Sequence, residues 1–219
     1  AASDVYKRQG NVLRKVGCGI VLSHSDYNRI SKNIICDTYG YAGFEGVELI
    51  VSSYNEVTNN RFMRSGLGNP AIATWFTWDD WYAGRYSRNN FIAHNIISDN
   101  GGGIGIFYSG YNTVFNNTLR NSGGISLTYC SHRDQIIGNN IFGTTCGIYI
   151  GYPGFEGENV TNNQVQQCKY GVYVYSSYYK PCTCYFTNND IKDNEIGICI
   201  RCGRVPPDPM IFYHNNIVN

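Results

Sequence analysis

Residues 129–134 carry the most varied chemistry of the chain, because a histidine, an arginine and an aspartate follow one another there. His132 is a candidate general base and Arg133 could neutralise a carboxylate of an acidic substrate, with Asp134 as the third member of this candidate catalytic set. The alternative is a solvated turn without a catalytic role, and the residue pattern favours that alternative.

All three tryptophans lie within residues 75–82. Trp75, Trp78 and Trp81 are joined there by two candidate binding carboxylates, Asp79 and Asp80. Flat aromatic faces suit sugar rings, because they bury C–H surface beside a polar edge. The segment is therefore a candidate polysaccharide subsite. The alternative is a small apolar cluster that lets a long insertion fold over the body of the protein.

Further candidate binding residues alternate with apolar residues in short segments. Tyr149, Tyr173 and Tyr175 would form an outward-facing aromatic strip, and Glu48 and Arg201 would face outward in equivalent segments. Such a strip suits a sugar ligand. The alternative is that stacked tyrosines only stabilise an exposed sheet face.

A sequence repeat positions these candidates. Nine asparagines recur at intervals of 22 to 35 residues, and a large apolar residue follows each of them two positions later. They are Asn11, Asn33, Asn60, Asn95, Asn117, Asn140, Asn163, Asn189 and Asn215. Most are preceded by Gly-Ile-x-Leu or a variant, whose alternate apolar residues indicate a strand with one buried face. Each repeat therefore predicts three short strands.

The repeat predicts an all-β solenoid with about eight coils of 22–27 residues, one of them lengthened to 35. Stacked coils give parallel, in-register sheets around one apolar core. Each asparagine is expected at a tight corner, where it tolerates unusual backbone angles. Its amide is expected to bond to the equivalent asparagine one coil away, forming a structural ladder. We expect Asn112 to lie outside this ladder.

The domain organisation is expected to be simple. Residues 1–9 are interpreted as a non-native, adapter-derived leader, since they do not supply the apolar strand that the repeat requires. Residues 10–219 are interpreted as one β-helix domain that is truncated at both ends, because no polar cap follows the last repeat.

Composition excludes several classes of partner. The formal net charge is only +1 and 15% of the residues are charged, which does not favour nucleic acid. No apolar run approaches the roughly 18 residues that a membrane span needs. The residues themselves predict no metal site and no cofactor.

The combined Gly-Ile-x-Leu and Asn-x-Ile signatures make residues 10–219 resemble the parallel β-helix repeat proteins of the pectin-lyase-like superfamily. That group includes NosD-like proteins and carbohydrate-binding and sugar hydrolase-type repeats. The resemblance implies a right-handed, single-stranded coil and a substrate cleft along the glycine-led strands. It implies an exported protein, either extracellular, on the cell surface or periplasmic, and calcium is a candidate ion by analogy alone. The Asn-Thr-Asp, Gly-His-Gly and Arg-Ile-Lys motifs of polygalacturonase-like hydrolases do not occur here, so their catalytic residues are not carried over.

The leading expectation is a protein that binds or processes an extended polysaccharide or surface glycan. If it is an enzyme, which the sequence leaves open, it resembles uronate lyases, C5-epimerases or glycoside hydrolases. One alternative is a non-catalytic adhesive solenoid at the cell surface. Another is a NosD-like periplasmic accessory protein.

Overall fold

A computed structural model of the protein describes residues 7–39, 46–64, 69–129, 132–152, 157–176, 183–202 and 210–218. These residues form 26 short strands and one helix, α1 (Trp78–Tyr82). The strands belong to three parallel sheets, here called A, B and C. The predicted all-β parallel solenoid is therefore confirmed.

Successive strands along the chain pass from sheet to sheet. Sheet A contains β1 (Lys7–Gln9), β4 (Arg29–Ser31), β7 (Glu56–Thr58), β10 (Phe91–Ala93), β13 (Thr113–Phe115), β16 (Gln135–Ile137), β19 (Asn159–Thr161), β22 (Tyr185–Thr187) and β25 (Ile211–Tyr213). Sheet B contains β2 (Val12–Arg14), β5 (Ile34–Cys36), β8 (Arg61–Met63), β11 (Ile96–Ser98), β14 (Thr118–Arg120), β17 (Asn140–Phe142), β20 (Gln164–Gln166), β23 (Asp190–Lys192) and β26 (Asn216–Val218). Sheet C contains β3 (Ile20–Ser23), β6 (Val47–Ile50), β9 (Ile72–Trp75), β12 (Ile104–Phe107), β15 (Ile125–Thr128), β18 (Cys146–Gly151), β21 (Tyr170–Ser176) and β24 (Ile196–Cys202).

The core is a stack of apolar layers, one for each coil. In sheet B, Ile97 pairs in register with Phe62 on one side and with Leu119 on the other. All three side chains are fully buried. Because the same register holds in every sheet, each coil places its apolar residues directly above those of the previous coil, and the polar faces point outward.

Asparagine amides, most of them buried, bond from coil to coil between sheets A and B. From Asn33 onward, the Oδ1 atom of each asparagine accepts both the backbone N–H and the Nδ2–H of its equivalent in the previous coil. The members are Asn11, Asn33, Asn60, Asn95, Asn117, Asn139, Asn163, Asn189 and Asn215. We call this set the first amide row.

The prediction that Asn140 belongs to the asparagine ladder is wrong by one residue. Asn139 occupies the first amide row, whereas Asn140 begins β17 and is half-buried. The segment from Ile136 to Phe142 reads Ile-Ile-Gly-Asn-Asn-Ile-Phe, so either asparagine has apolar neighbours at the expected spacing. Ile141, two positions after Asn139, is the fully buried core residue of this repeat, so Asn139 has the expected spacing.

The unusual backbone angles lie one residue earlier than expected. The residue before each member of the first amide row has a positive φ, as at Lys32, Asn59 and Asn116, with values of 58°, 57° and 49°. His94 and His214 occupy two of these turn positions, with φ of 58° and 52°. The row asparagine itself therefore supplies hydrogen bonds rather than backbone freedom.

A second amide row, which the sequence analysis did not anticipate, lies between sheets C and A. Its buried members are Asn28, Asn55, Asn90, Asn112, Asp134 and Glu158, bonded in that order. Asn112 lies outside the first amide row, as expected, but it is a buried member of this second row. Burial, followed by the charge of Asp134, raises the pKa of Glu158 well above its usual range, so the row ends in a carboxyl pair that favours one proton.

The first described strand belongs to the solenoid. Residues 7–9, interpreted above as part of a leader, form β1 and pair with Arg29–Ser31 in parallel. All three side chains are exposed, and the pairing uses only the backbone. Within the described ranges, no helix has the length and apolar character to cross a membrane.

Candidate functional site

A trough runs across the outer face of sheet C. Its central outward row follows the strand register and alternates with the buried core residues. The row consists of Val21, Glu48, Ala73, Gly105, Ser126, Tyr149, Tyr173 and Cys199. Three small residues, Ala73, Gly105 and Ser126, separate Glu48 from Tyr149. A cleft of about 650 Å³ extends from Glu48 to Tyr149 and is lined by Ala73 and Ser126, whereas the Phe107 ring covers Gly105.

The cleft spans several coils. Glu48 and Tyr149 are four strand spacings apart in the sheet, which is about 19 Å at roughly 4.8 Å for each spacing. This is much longer than one sugar ring, and the trough follows the solenoid axis. The shape therefore fits an extended chain of linked units rather than a single small molecule.

Aromatic side chains form one wall of the cleft. Trp75 is 41% exposed, and its ring meets that of Phe107 edge-on at 5.1 Å between centroids. The Phe107 ring covers Gly105 so closely that a Cβ at that position would overlap it. Tyr108 and Tyr129 extend the wall and stack on each other at 4.7 Å. The wall thus presents flat aromatic surface with hydroxyl and indole N–H groups at its edges.

Glycine segments form the opposite wall. Gly101, Gly102 and Gly103 come from one coil, and Gly123 and Gly124 come from the next. A Cβ on Gly102 or Gly103 would lie within 3.0 Å of backbone atoms of a neighbouring coil. Close packing of the coils therefore requires glycine here, and it leaves peptide groups beside the cleft.

Glu48 is the one carboxyl among the described lining residues. Glu48 is only 5% exposed, and within the described ranges its Oε2 atom has no hydrogen-bond partner. Burial raises the pKa of Glu48 from 4.5 to about 7. Because removal from water disfavours the charged form, a large share of the molecules carries a neutral carboxylic acid here at neutral pH.

The tryptophan segment lies beside the cleft and is tied to the first coil. Trp78 is 69% exposed and meets Phe76 edge-on, while Phe76 packs against Tyr108 at 4.2 Å. Asp79 is exposed, and the side chain of Trp81 lies outside the described part of the structure. Trp75 lines the cleft and Trp78 does not. The aromatic residues of the insertion therefore pack partly on one another and partly along the cleft.

Asp80 joins the insertion to the first coil. Its Oδ1 atom lies 3.2 Å from Nε2 of His24 and 2.9 Å from the Arg85 guanidinium, and its Oδ2 accepts the Thr77 hydroxyl. The Thr77 hydrogen bond, followed by those from His24 and its charge, lowers the pKa of Asp80. Asp80 is buried within these contacts and is absent from the described cleft lining. It is therefore placed to hold the insertion rather than to contact a ligand in the cleft.

We expect Asp80→Ala to lower the melting temperature of the protein, whereas Asp79→Ala changes it little. The first substitution removes the acceptor of three side chains from different segments, and the second removes an exposed carboxylate. Thermal unfolding followed by circular dichroism measures both variants. Equal melting temperatures would contradict a structural role for Asp80.

The residues of the candidate catalytic set are distributed over different environments. His132 is half-buried and bridges to Gly110, Arg133 is exposed at a turn with φ of 50°, and Asp134 is a fully buried member of the second amide row. Oδ1 of Asp134 accepts two hydrogen bonds from Asn112. The three residues are not among the described residues that line the cleft.

The remaining candidate binding residues continue the outer face beyond Tyr149. Tyr173 stacks on Tyr149 at 5.7 Å, and the Arg201 guanidinium lies 5.9 Å from the Tyr173 ring centre. Tyr175 meets Tyr152 edge-on at 5.4 Å. Burial raises the pKa of Tyr149, so its hydroxyl stays protonated at neutral pH. This strip extends one end of the cleft with aromatic surface and one cation.

Sequence reasoning missed part of the cleft. The glycine wall was visible only as the runs 101–103 and 123–124. Tyr108, Tyr129 and Tyr152 were visible as a tyrosine that recurs in successive repeats, and the structure places them at equivalent turns with φ of 46°, 60° and 53°. Neither the glycine runs nor the recurring tyrosine predicts that these residues line the same cleft.

Comparisons with known proteins give a match to a family model and a likeness to a solved structure. Residues 79–219, more than half of the chain, match the family model described as periplasmic copper-binding protein (NosD). Among solved structures, a mutant of the periplasmic alginate epimerase AlgG matches with a TM-score of 0.38 and 15% identity, covering 98% of this chain. The chain spans 45% of the length of that protein. No curated protein matches.

The family description names copper, so we asked whether the described side chains could bind a copper ion. Within the described ranges, no three His, Cys, Asp or Glu side chains are grouped so that they could hold a metal ion. Met63 pairs in register with Cys36, which is buried in sheet B. Two sulfur-containing residues in adjacent strands are not a complete ligand set, so the described residues do not fit a copper centre.

Proposed function

The chain belongs to the NosD family, and we propose that it is an exported β-helix protein that binds an extended polysaccharide along the outer face of sheet C. The observation that carries the proposal is the cleft that extends from Glu48 over Ala73 and Ser126 to Tyr149, with an aromatic wall on one side. Glycans bind in such clefts through stacking on flat rings and through hydrogen bonds at their edges. The extent of the trough across five strands supports a polymer as the ligand.

Binding is better supported than catalysis. Glycoside hydrolysis by the usual mechanism needs two carboxyl groups near the scissile bond. The described lining residues of the cleft include one, Glu48. A uronate lyase or epimerase needs a group that neutralises the substrate carboxylate, and the described lining contains neither lysine nor arginine. We therefore propose recognition as the activity of this site.

The test is a binding panel with the 219-residue chain and with two tryptophan variants. We expect at least one polysaccharide to bind. Trp75→Ala should weaken that binding about tenfold, which corresponds to about 1.4 kcal/mol, because Trp75 lines the cleft. Trp78→Ala is the matched control, since Trp78 is exposed outside the cleft lining, and it should change the affinity less than about twofold. Affinity electrophoresis gives the dissociation constants, and reducing ends and ultraviolet-absorbing products are measured in the same samples.

Two results would contradict the proposal. One is a wild-type chain that binds none of the polysaccharides. The other is a Trp75→Ala variant that keeps the wild-type affinity, since that would place the ligand away from the cleft. Unsaturated uronate or new reducing ends would establish an enzyme and would contradict recognition as the only activity.

A second candidate is a copper-related accessory function, which the family match alone favours. Titration of the reduced protein with Cu(I) under anaerobic conditions tests it. Stoichiometric, tight binding would favour this function, and weak binding that chelators reverse at once would count against it.

A further inference from the structure

Glu48 occupies an unusual position for a carboxyl group. It lies on the outward face of β6, between Val21 and Ala73 in the strand register, and it is nevertheless almost fully buried. Its Oε2 atom has no hydrogen-bond partner within the described ranges. A buried polar atom without a partner destabilises the folded protein. A ligand in the cleft that offers such a partner would offset part of that destabilisation.

We propose that Glu48 makes the cleft selective for uncharged glycans, by donating a hydrogen bond from its neutral carboxyl group to a sugar oxygen. This inference rests on the proposed function, since it names the substrate class of the same site. Glu48 acts as a specificity-determining residue, and the cleft excludes polymers that carry a carboxylate on each ring.

The charges around Glu48 support an uncharged ligand. Neither of the strands that flank it, β3 and β9, contains a charged residue. His24 of the first coil and Arg85 of the insertion both contact the carboxylate of Asp80. A uronate in the cleft would therefore meet no cation among the described lining residues, and it would be repelled by Glu48 whenever Glu48 is ionised.

Two thiols and one phenol near Glu48 or in the cleft have pKa values above their usual range. Cys18 precedes β3, and burial followed by the charge of Glu48 raises the pKa of its thiol. Burial raises the pKa of Cys146 to about 12 and also raises that of Tyr149. Tyr108 and Tyr129 also line the cleft. Of Glu48, Cys18, Cys146 and Tyr149, Glu48 is the group whose pKa lies near neutral pH.

The protonation state of Glu48 determines how binding depends on pH. Burial holds the pKa of Glu48 at about 7, so the carboxyl is neutral below that pH and ionised above it. A sugar that covers Glu48 removes more water from it, which further disfavours the ionised form. Binding is therefore strongest below pH 7, and affinity falls by up to about tenfold for each pH unit above the pKa, since one proton is linked to binding.

The experiment measures glycan affinity at pH 5.5, 7.0 and 8.5 by isothermal titration calorimetry. The probes are neutral hexasaccharides of glucose, xylose and mannose, together with hexagalacturonate. For the wild type we expect a neutral probe to bind at least about tenfold more weakly at pH 8.5 than at pH 5.5. Hexagalacturonate should bind more weakly than that neutral probe at every pH. Glu48→Gln should keep the low-pH affinity throughout, because the amide stays neutral and still donates a hydrogen bond.

Glu195→Gln is the matched control, since Glu195 is an exposed glutamate away from the cleft, and it should retain the wild-type pH profile. Binding that is independent of pH, or stronger for hexagalacturonate, would overturn this inference while leaving the proposed function intact. If no probe or polysaccharide binds the wild type at any pH, the proposed function fails together with it. Should Glu48→Gln not fold, the wild-type pH profile and the hexagalacturonate comparison still decide the matter.

Discussion

Asn139→Ala is expected to lower the free energy of unfolding by about 3 kcal/mol, whereas Asn140→Ala lowers it by less than about 1 kcal/mol. The two asparagines are adjacent in sequence and differ in their place in the fold. Asn139 is 1% exposed within the first amide row, and Asn140 is half-buried at the start of β17. Equilibrium unfolding in urea measures both changes.

The size of the effect follows from the hydrogen bonds that the amide makes. Oδ1 of Asn139 accepts the backbone N–H and Nδ2–H of Asn117 at 2.9 and 3.0 Å. Its Nδ2 donates to the Val114 carbonyl at 2.9 Å and to Oδ1 of Asn163 at 3.0 Å. Alanine leaves these partners buried without a replacement, and a buried polar group that loses its partner costs about 1–3 kcal/mol.

The matched pair also tests the register of the coils. A larger loss for Asn140→Ala than for Asn139→Ala would show that the neighbouring residue carries the interior hydrogen bonds. The register of β16 and β17 described above would then be wrong.

Gly124→Ala is expected to destabilise the protein by more than about 3 kcal/mol, or to prevent folding. A Cβ on Gly124 would lie within 3.0 Å of the carbonyl oxygens of Cys146 and Gly147 in the next coil. Backbone atoms cannot move away as a flexible side chain can, so the coils would have to separate locally. The same substitution would also narrow one wall of the cleft, which Gly124 lines.

Gly17→Ala serves as the control for Gly124→Ala, because no atom lies within 4 Å of a Cβ at that position. It should leave the free energy of unfolding within about 0.5 kcal/mol of the wild type. A well-folded Gly124→Ala variant with wild-type stability in urea would contradict the close approach of the coils at this glycine.

The repeat predicted the fold because each strand contributes the same few residues to the core. Ile97 and Leu119, for example, are marked by their spacing from an asparagine, and both are fully buried. The prediction was wrong at Asn140 because the doubled Ile-Ile and Asn-Asn pairs allow two registers. The second amide row was missed because its last members, Asp134 and Glu158, are carboxylic acids rather than asparagines.

The candidate site was predicted only in part. Alternation showed that Glu48 and Tyr149 face outward and the tryptophan segment marked Trp75, and the structure brings these three residues to one cleft. Alternation could not show that Glu48 is buried, since outward residues are exposed by default. The burial depends on how neighbouring coils pack around a trough, and that packing is a property of the assembled sheet. The Phe107 ring over Gly105 is one such contact.

The most direct test of the account is a crystal structure of the chain with a neutral hexasaccharide bound below pH 7. We expect the sugar to lie in the cleft beside Ala73 and Ser126, with one ring against Trp75 and a sugar oxygen within hydrogen-bond distance of Glu48. A sugar bound on sheet A or sheet B, with the trough filled only by water, would contradict the proposal that this cleft is the recognition site.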